Sequence, residues 1–401
     1  MTLLVMLLVA GGCGGDGPDT VKTLTLVVNA PFSTSPYVGE TIARGVELGV
    51  SATGQIDTGD GSYRLRVRRL DNALSPREAI ANVRRAAADG AVAIIDEGTG
   101  VDASWRIAQE AKIPLAITYQ GGIGLVDPEK RPNVFRIAPT DRGIAFRLAE
   151  YVIPKGLRVA ILTDDSGYGE EGRAALAKSF GSNPEAVAIR LRLPVAAQDL
   201  SPQVLQARRA GASALLVWAR PATIANVLTA ARSRRWNVPV YTPPTCADPL
   251  VRQQLADQPD WVDGLVFASG RMTAELGPLA WEAFEARFEG RYGADRVGVR
   301  TAEGDEVVQP PEYAMYSYDF VNVLAAALRQ AGDPADREAV LDALNQVTVR
   351  GANGDERGFN LSNHEGVVDD DVYFARFRDM TFSPVKDDPL SSTLPVINQL
   401  R

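Results

Sequence analysis

The sequence predicts an α/β protein with two doubly wound parallel sheets. The main observation is the stretch AVAIIDEGTGVDASWRIAQEAKIPLAITYQGG, residues 91–122, in which two short apolar runs flank a helical segment. Neither run, 91–95 or 114–118, alternates polar and apolar residues, so each should be covered on both faces, as parallel strands are. The second observation is that the alternation of strands and helices starts again near Arg158, which indicates a second sheet.

The first half of the chain predicts one complete β-α-β array. The helix after its second strand has a recognisable start, because Ser75 caps it, Pro76 takes the first helical position and Glu78 completes a capping box. The predicted strands are 23–29, 63–70, 91–95, 114–118 and 134–138, and a helix at 144–153 follows them.

The second half predicts another such array, followed by helices that have no sheet of their own. Those late helices must pack back on an earlier sheet, so the chain has to cross between lobes more than once. The stretch DDSGYGEEG, 164–172, is predicted as a turn. The predicted strands are 158–163, 187–193, 214–218, 238–241 and 264–269, and the helices are 173–180, 202–210, 222–233, 277–292, 313–331 and 335–346.

Two turns of the first array form the first candidate site. In open α/β sheets ligands bind beyond the carboxyl ends of the strands, so DEGTG at 96–100 and YQGG at 119–122 should lie on one rim. Gly98 and Gly100 allow close approach of a ligand, and free N–H groups of a helix from about Asp102 would attract a carboxylate. The alternative is that these residues only make a tight turn, with Asp102 capping the helix.

Composition limits the function classes. The 401 residues suggest two to three domains, and 45% hydrophobic with 23% charged residues is globular composition. A formal net charge of −8 argues against nucleic acid, because phosphate binding needs a basic face. With a single histidine, His364, and no GxSxG, HExxH or P-loop pattern, the sequence indicates neither a zinc site nor an enzyme, and it predicts no cofactor.

The N-terminus predicts export. Residues 3–10, LLVMLLVA, form an apolar run that is too short to span a bilayer and that leads into AGGC, as in a secretion signal. Cys13 then precedes a Gly-rich tether, and LVAGGC resembles the lipobox of bacterial lipoproteins, whose Cys carries lipid. The alternative is a buried Cys13 in an apolar N-terminal strand. The other cysteine, Cys246, is predicted as a turn or core residue.

Five stretches carry a family resemblance, and they occur in the order typical of that family. They are SPYVGETIARGVELGV, LDNALSPREAIANVRRAAADGAVAII, VAILTDDSGYGEEG, VPVYTPPT and YAMYSYDFVNVLAAALRQAGDPADREAVLDAL. The chain resembles the type I periplasmic solute-binding proteins of the Leu/Ile/Val-binding kind, the receptors of branched-chain and related amino-acid ABC importers. This resemblance implies two Rossmann-like lobes joined by three crossover strands, near 134–138, 264–269 and 358–361.

The resemblance also implies a division of the chain and a function. Residues 1–20 would be signal and tether, 21–138 with 271–357 the N-terminal lobe, and 139–270 with 358–401 the C-terminal lobe. The protein would then be an exported, lipid-anchored receptor in the periplasm or at the outer face of the cell membrane. It would present a small polar solute, an amino acid or a related compound, to a membrane permease. The alternatives are a sensor of the same fold without transport and an enzyme.

The same resemblance implies site residues. It assigns Thr99 and Gly100 to a turn with donors for a ligand carboxylate, and it assigns pocket positions to further residues after the strands of both lobes. The stretch TPPT at 242–245 has no carboxylate where amino-acid binders hold the ligand ammonium, which puts a standard α-amino acid in doubt. Asp96, Glu97 or Asp164 would bind a cationic group, unless they are solvated loop carboxylates. The further pocket positions are Tyr37, Tyr119, Gln120, Gly121, Tyr168, Trp218 and Arg220.

Overall fold

The structure is a computed structural model that describes residues 21–270 and 278–391. Cys13 and the predicted signal segment lie outside the described residues. Among the described helices, none combines the length and the hydropathy that crossing a bilayer requires.

The strands and helices follow the predicted order closely. The strands are β1 (Lys22–Ala30), β2 (Gln55–Thr58), β3 (Gly61–Asp71), β4 (Ala93–Asp96), β5 (Leu115–Ile117), β6 (Val134–Arg136), β7 (Val159–Asp164), β8 (Val187–Leu193), β9 (Ala214–Trp218), β10 (Val240–Thr242), β11 (Val266–Gly270), β12 (Asp295–Arg300), β13 (Glu306–Gln309), β14 (Thr348–Arg350), β15 (Glu356–Gly358), β16 (Val372–Arg378) and β17 (Thr381–Pro384). The helices are α1 (Pro36–Thr53), α2 (Pro76–Ala88), α3 (Val101–Glu110), α4 (Asp141–Val152), α5 (Gly167–Ser179), α6 (Ser201–Arg209), α7 (Pro221–Arg232), α8 (Pro249–Gln254), α9 (Pro278–Tyr292), α10 (Ala314–Ala331) and α11 (Arg337–Leu344).

Two sheets define two lobes, which confirms the predicted fold class. The first lobe contains a six-stranded sheet in the order β2-β3-β1-β4-β5-β6, in which every pair except β2–β3 is parallel. The second lobe contains a seven-stranded sheet in the order β17-β16-β11-β10-β9-β7-β8. In its parallel part, from β8 to β11, the strands are arranged in the same order along the chain as in the parallel part of the first sheet. β16 and β17 add antiparallel strands at one edge.

The late helix α10 packs on α1 of the first lobe, as the lack of a third sheet predicts. Its closest approach is at Gly45, where an added Cβ would lie 2.1 Å from the Ala314 carbonyl oxygen and 2.2 Å from the Ser317 Oγ. Ser317 Oγ also donates a hydrogen bond of 2.9 Å to the Ile42 carbonyl. A residue without a side chain is therefore required at position 45.

Two local predictions are wrong. The stretch 164–172 is not a turn, because α5 begins at Gly167, with Ser166 accepting a hydrogen bond from the Gly169 N–H. Its glycines lower helix propensity, but they allow the helix to pack directly on neighbouring atoms, and this packing outweighs propensity. The predicted crossover strand at 358–361 is also absent. β15 ends at Gly358, and the chain next pairs with β6 through Glu365, opposite Arg136.

The hairpins β12–β13, β14–β15 and β16–β17 were not predicted, although β16 is a largely buried strand of seven residues. The hairpin β12–β13 contacts both lobes, since Asp295 pairs with Arg44 of α1 at 2.7 Å and the Val297 carbonyl accepts from Gln253 of α8 at 2.9 Å. The exact division of the chain into 21–138 with 271–357 and 139–270 with 358–401 stays a prediction.

Charged and polar contacts hold the three crossings between the lobes. At the first crossing, Arg136 forms a bidentate pair with Glu365 of the third, at 2.7 and 2.5 Å. At the second, the Ser269 hydroxyl donates to Glu312, just before α10, at 2.6 Å. At the third, buried Arg357 lies 3.2 Å from Asp319 and 3.0 Å from Asp371.

We expect Arg357→Met to lower the free energy of unfolding by about 3–5 kcal/mol, because it leaves the buried Asp319 carboxylate without its cation. Urea unfolding followed by circular dichroism measures this. The control is Arg296→Met at the exposed Arg296–Glu306 pair, where the change should stay within about 0.5 kcal/mol. Equal losses in both variants would contradict the structural role of the buried pair.

Candidate functional site

Aromatic side chains meet where the carboxyl ends of the two sheets face each other. In the first lobe, Tyr119 after β5 lies 5.1 Å from Tyr313, measured between ring centroids. In the second lobe, Tyr168 at the start of α5 lies 5.6 Å from Trp218. Burial raises the pKa of the Tyr168 hydroxyl well above its ordinary value, with smaller contributions from Asp141 and, across the lobes, from Tyr119. We call the space between Tyr119 and Tyr168 the cleft.

Tyr37, the first of the predicted wall residues, sits in the first turn of α1 and is half-buried. Its hydroxyl is hydrogen-bonded to the Gln309 amide of the β12–β13 hairpin. Burial raises the pKa of the Tyr37 hydroxyl, and the Glu312 and Asp248 carboxylates raise it further. Tyr37 therefore joins the edge of the cleft to the hairpin that contacts both lobes.

The DEGTG turn contradicts one of the two sequence interpretations, whereas binding of a cationic group by Asp96 or Glu97 stays a prediction. Its two carboxylates are buried, Asp96 at 0% exposure and Glu97 at 1%, so neither is a solvated loop residue. Each one accepts a hydrogen bond from a backbone N–H of its own turn, Gly98 to Asp96 at 2.7 Å and Thr99 to Glu97 at 2.9 Å. The Thr99 N–H is thus occupied by the protein itself.

The helix α3 begins at Val101, close to the predicted start, but its N-cap residue differs from the predicted one. Gly100, with a φ of 81°, is the N-cap residue, and Asp102 lies in the first turn. Asp102 instead pairs with Arg131 at 2.7 Å. The alternative in which Asp102 caps the helix is therefore excluded.

Two glycines allow the turns to pack closely. An added Cβ at Gly98, which has a φ of 128°, would lie 2.5 Å from the Gln120 side chain. That side chain donates to the Thr99 hydroxyl and to Glu97, each at 3.3 Å. An added Cβ at Gly121 would lie 2.5 Å from Asp141, across the first crossing. The structure thus brings Thr99, Gln120 and Gly121 together, as predicted from their position on one rim.

The second-lobe residues occupy different depths. Trp218 is fully buried and packs on Gly172 of α5, behind Tyr168, so its direct contact with a ligand stays a prediction. The Arg220 side chain is exposed. Its backbone N–H donates to Asp164 at 2.7 Å, and Asp164 also accepts from Ser166, so this carboxylate serves to hold the loop ends of β7 and β9 together.

Asp141 is a cleft residue that the sequence analysis missed. It follows the first crossing as the first residue of α4, and it is only 4% exposed. No described residue forms a hydrogen bond or an ion pair with its carboxylate. Burial raises the pKa of Asp141 to about 7, with a further contribution from Glu171 and an opposing one from Arg136. Its position in the sequence PTDRG, directly after a predicted crossover strand, could have identified Asp141 as a candidate site residue.

Arg136 and Arg252 form contacts within the protein. Arg136 pairs with Glu365 and donates to the Gln120 and Gly122 carbonyls, at 3.2 and 2.9 Å. Arg252, which is fully buried, donates to the Ala247 carbonyl at 2.8 Å and to the Met380 carbonyl at 3.3 Å. Within the described residues, no cluster of three or more metal-ligating side chains occurs.

The remaining cysteine and histidine are structural. Cys246 is fully buried, and burial raises the pKa of its thiol, which confirms the core interpretation. His364 is buried at the third crossing, where it stacks on Phe135 at 4.2 Å and its Nδ1 lies 2.8 Å from the Val134 carbonyl oxygen.

Burial raises the pKa of Asp96 to about 8, with repulsion from Glu97 as a second cause. Because the folded-state pKa lies above the ordinary value, the native state binds more protons, and stability decreases as the pH rises from about 4 to about 8. We expect Asp96→Asn to reduce this loss. The melting temperatures of wild type and variant at pH 5 and pH 9 measure this loss. If the difference between pH 5 and pH 9 is the same in both proteins, Asp96 is not the group responsible.

The comparisons with known proteins agree with this architecture. A family model described as periplasmic binding protein matches residues 26–381. Against curated proteins, the chain found no match. Among solved structures, it is similar to a type 1 periplasmic binding protein from Bordetella pertussis Tohama I, with 22% identity, a TM-score of 0.76, and coverage of 91% of this chain and 100% of that chain.

Two further structures have named ligands. A leucine-binding protein from Thermotoga maritima MSB8 is 19% identical, with a TM-score of 0.72 and coverage of 90% of this chain and 97% of that one. A solute-binding protein of an ABC transporter from R. palustris, in complex with benzoate, is 19% identical, with a TM-score of 0.73 and coverage of 90% and 95%. At these identities the likeness shows the fold.

Proposed function

Because the chain belongs to the periplasmic binding protein family, we propose that it is the exported solute-binding component of an ABC importer. It captures a small polar solute, an amino acid or a related compound, between its lobes and delivers it to a membrane permease. It performs no chemistry on that solute and requires no cofactor.

The observation that carries the proposal is the meeting of tyrosines from both lobes beside an unpaired carboxylate. Tyr119 and Tyr168 provide aromatic faces, and Asp141 provides a carboxyl acceptor in a buried position. Aromatic faces attract cations, and a carboxylate with little solvent binds an ammonium group more strongly than a surface carboxylate does. This combination suits a solute with a protonated amino group and an apolar body.

Capture by closure follows from the two-lobe arrangement. A solute favours the closed state only if it contacts both lobes, and here Tyr119 and Tyr168 come from different lobes. The motion is a hinge rotation at the three crossings, where few residues need to change their backbone angles. The contacts at Arg136 and Glu312 lie at these crossings, so they keep the hinge ordered during the motion.

The experiment that tests the proposal starts with the solute that co-purifies with the protein, identified by mass spectrometry after denaturation. We expect Tyr168→Ala to weaken its binding at least about tenfold, or about 1.4 kcal/mol, because the mutation removes the second-lobe wall. Titration calorimetry measures this. Tyr168→Phe keeps the ring and should bind within a few-fold of wild type, and Tyr292→Ala, on α9 away from the cleft, serves as a control.

Wild-type affinity in Tyr168→Ala would place the binding site elsewhere. Uptake of the labelled solute in a strain that lacks the protein separates transport from the alternative role as a sensor. Unchanged uptake together with tight binding would favour the sensor.

We also propose that Cys13 carries lipid and holds the mature protein at a membrane surface. The support is the AGGC motif before a Gly-rich tether, and stable attachment by this route needs more than one acyl chain. Cys13→Ser should therefore move the protein from the membrane fraction to the soluble fraction and lower the mass measured for the intact protein. Membrane association and mass that stay unchanged would contradict lipidation.

A further inference from the structure

We propose that the hairpin β12–β13, residues 295–309, is a strap that favours the closed arrangement of the two lobes. Its base is fixed to the first lobe and its body packs on the second, so the lobes cannot separate fully until the strap leaves one of them. This role rests on the proposed function, because the strap acts on the opening of the same cleft. It depends on contacts within the chain and not on the identity of the solute.

The base of the strap is attached to α1 at two points. Asp295, its first residue, forms an ion pair with Arg44 at 2.7 Å. The side-chain amide of Gln309, its last residue, donates a hydrogen bond to the Tyr37 hydroxyl. Asp295 and Gln309 are also paired with each other in the hairpin. Because Tyr37 lies at the edge of the cleft, the base of the strap adjoins the proposed solute site.

The chain on both sides of the strap also belongs to the first lobe. Before it, α9 ends at Tyr292, whose hydroxyl donates to the Arg44 carbonyl at 3.2 Å, and only residues 293–294 separate this helix from the strap. After it, two prolines at 310–311 lead toward α10, which packs on α1. Proline fixes φ, so this connection has little freedom to swing. The base of the strap therefore moves with the first lobe.

The body of the strap packs on the second lobe. Strand β12 contacts α8, where the Gln253 amide donates to the Val297 carbonyl at 2.9 Å, and β13 contacts β17. At the far end, the Ala302 N–H donates to Asp379, in the turn between β16 and β17, at 3.2 Å. The strap thus runs from α1 of the first lobe to the edge strands of the second.

One face of the strap is apolar and covered. Val297, Val299 and Val307 are at most 7% exposed, and they belong to the same apolar core as Val251 and Leu255 of α8. The residues that alternate with these valines are exposed. Release of the strap from the second lobe would bring the covered face into water, which is unfavourable. The strap therefore favours the closed state even without solute.

A strap of this kind changes the affinity for a solute that it does not need to touch. A solute that binds only the closed state has an apparent dissociation constant equal to the intrinsic one divided by the closed fraction. Because the strap raises the closed fraction, it raises the affinity. It also slows release, since the cleft opens less often.

Removal of the strap tests this role. Because Asp295 and Gln309 are paired, a Gly-Gly turn can replace residues 296–308 and leave both contacts with α1 in place. Small-angle scattering of the solute-free protein measures its radius of gyration. We expect this radius to increase although the variant is smaller than wild type, and to decrease again on saturation with the co-purified solute.

Titration calorimetry with the same solute gives the second measurement. If wild type without solute is already mostly open, the radius changes little, and the loss appears in the affinity, which should fall at least about tenfold. At least one of the two quantities must change, because both report the same equilibrium between open and closed states. A wild-type radius together with a wild-type affinity would overturn the inference.

A milder variant covers the case in which the deletion does not fold. Gln253→Ala with Asp379→Gly removes the hydrogen bonds that these side chains form with the strap, and glycine suits the φ of 46° at position 379. We expect changes in the same direction, of at least about threefold where they appear in the affinity. Unchanged radius and affinity in this variant would equally overturn the inference.

The matched control is Gln254→Ala, at the next position of α8, which is also exposed and should alter neither quantity. Circular dichroism confirms that each variant is folded. The scattering of solute-free protein needs no solute, so it decides the role of the strap separately from the proposed function. Uptake that does not depend on the protein would overturn the proposed function alone, whereas unchanged variants in a protein that supports uptake would overturn the strap alone.

Discussion

Neutral donors hold two buried carboxylates at the end of β4, and much of the edge of the first lobe depends on this constraint. Asn29 donates to Asp96 at 2.6 Å, and Asn82 donates in turn to Asn29 at 2.9 Å, so the chain of bonds connects β1, β4 and α2. On the other side, Glu97 binds Asn72 and Gln120. Because an unsatisfied buried carboxylate is costly, the turns that supply these amides have little freedom to move.

The connection between the lobes follows a different physical rule. Ion pairs with Arg136 and Arg357 and the hydrogen bonds to Glu312 join segments that are far apart in the sequence and meet only at the crossings. Buried pairs of this kind add little net stability, but removing one partner is expensive. They define which segments pair at the hinge, while the apolar cores of the lobes supply most of the stability.

The candidate site shows where sequence reasoning reached its limit. The rim positions of Thr99, Gln120 and Gly121 follow from strand direction alone, because the carboxyl ends of parallel strands share one edge. Tyr168 was predicted from the family resemblance. The burial of Glu97 and the isolation of Asp141 do not follow from it. Both depend on distant residues, Asn72 for the first and the Gly121 turn for the second, and a local pattern carries no information about such contacts.

The sequence by itself determined the fold class, the order of most strands and helices, and the return of the late helices to an earlier sheet. These depend on apolar periodicity and capping residues, such as Ser75, which act over a few neighbouring residues. Only the tertiary structure decided that α5 begins at Gly167, that the third crossing pairs at Glu365, and that Asn72 and Gln120 bind the buried Glu97. Each of these is set by packing or hydrogen bonds between segments distant in the chain, and such contacts outweigh local propensity.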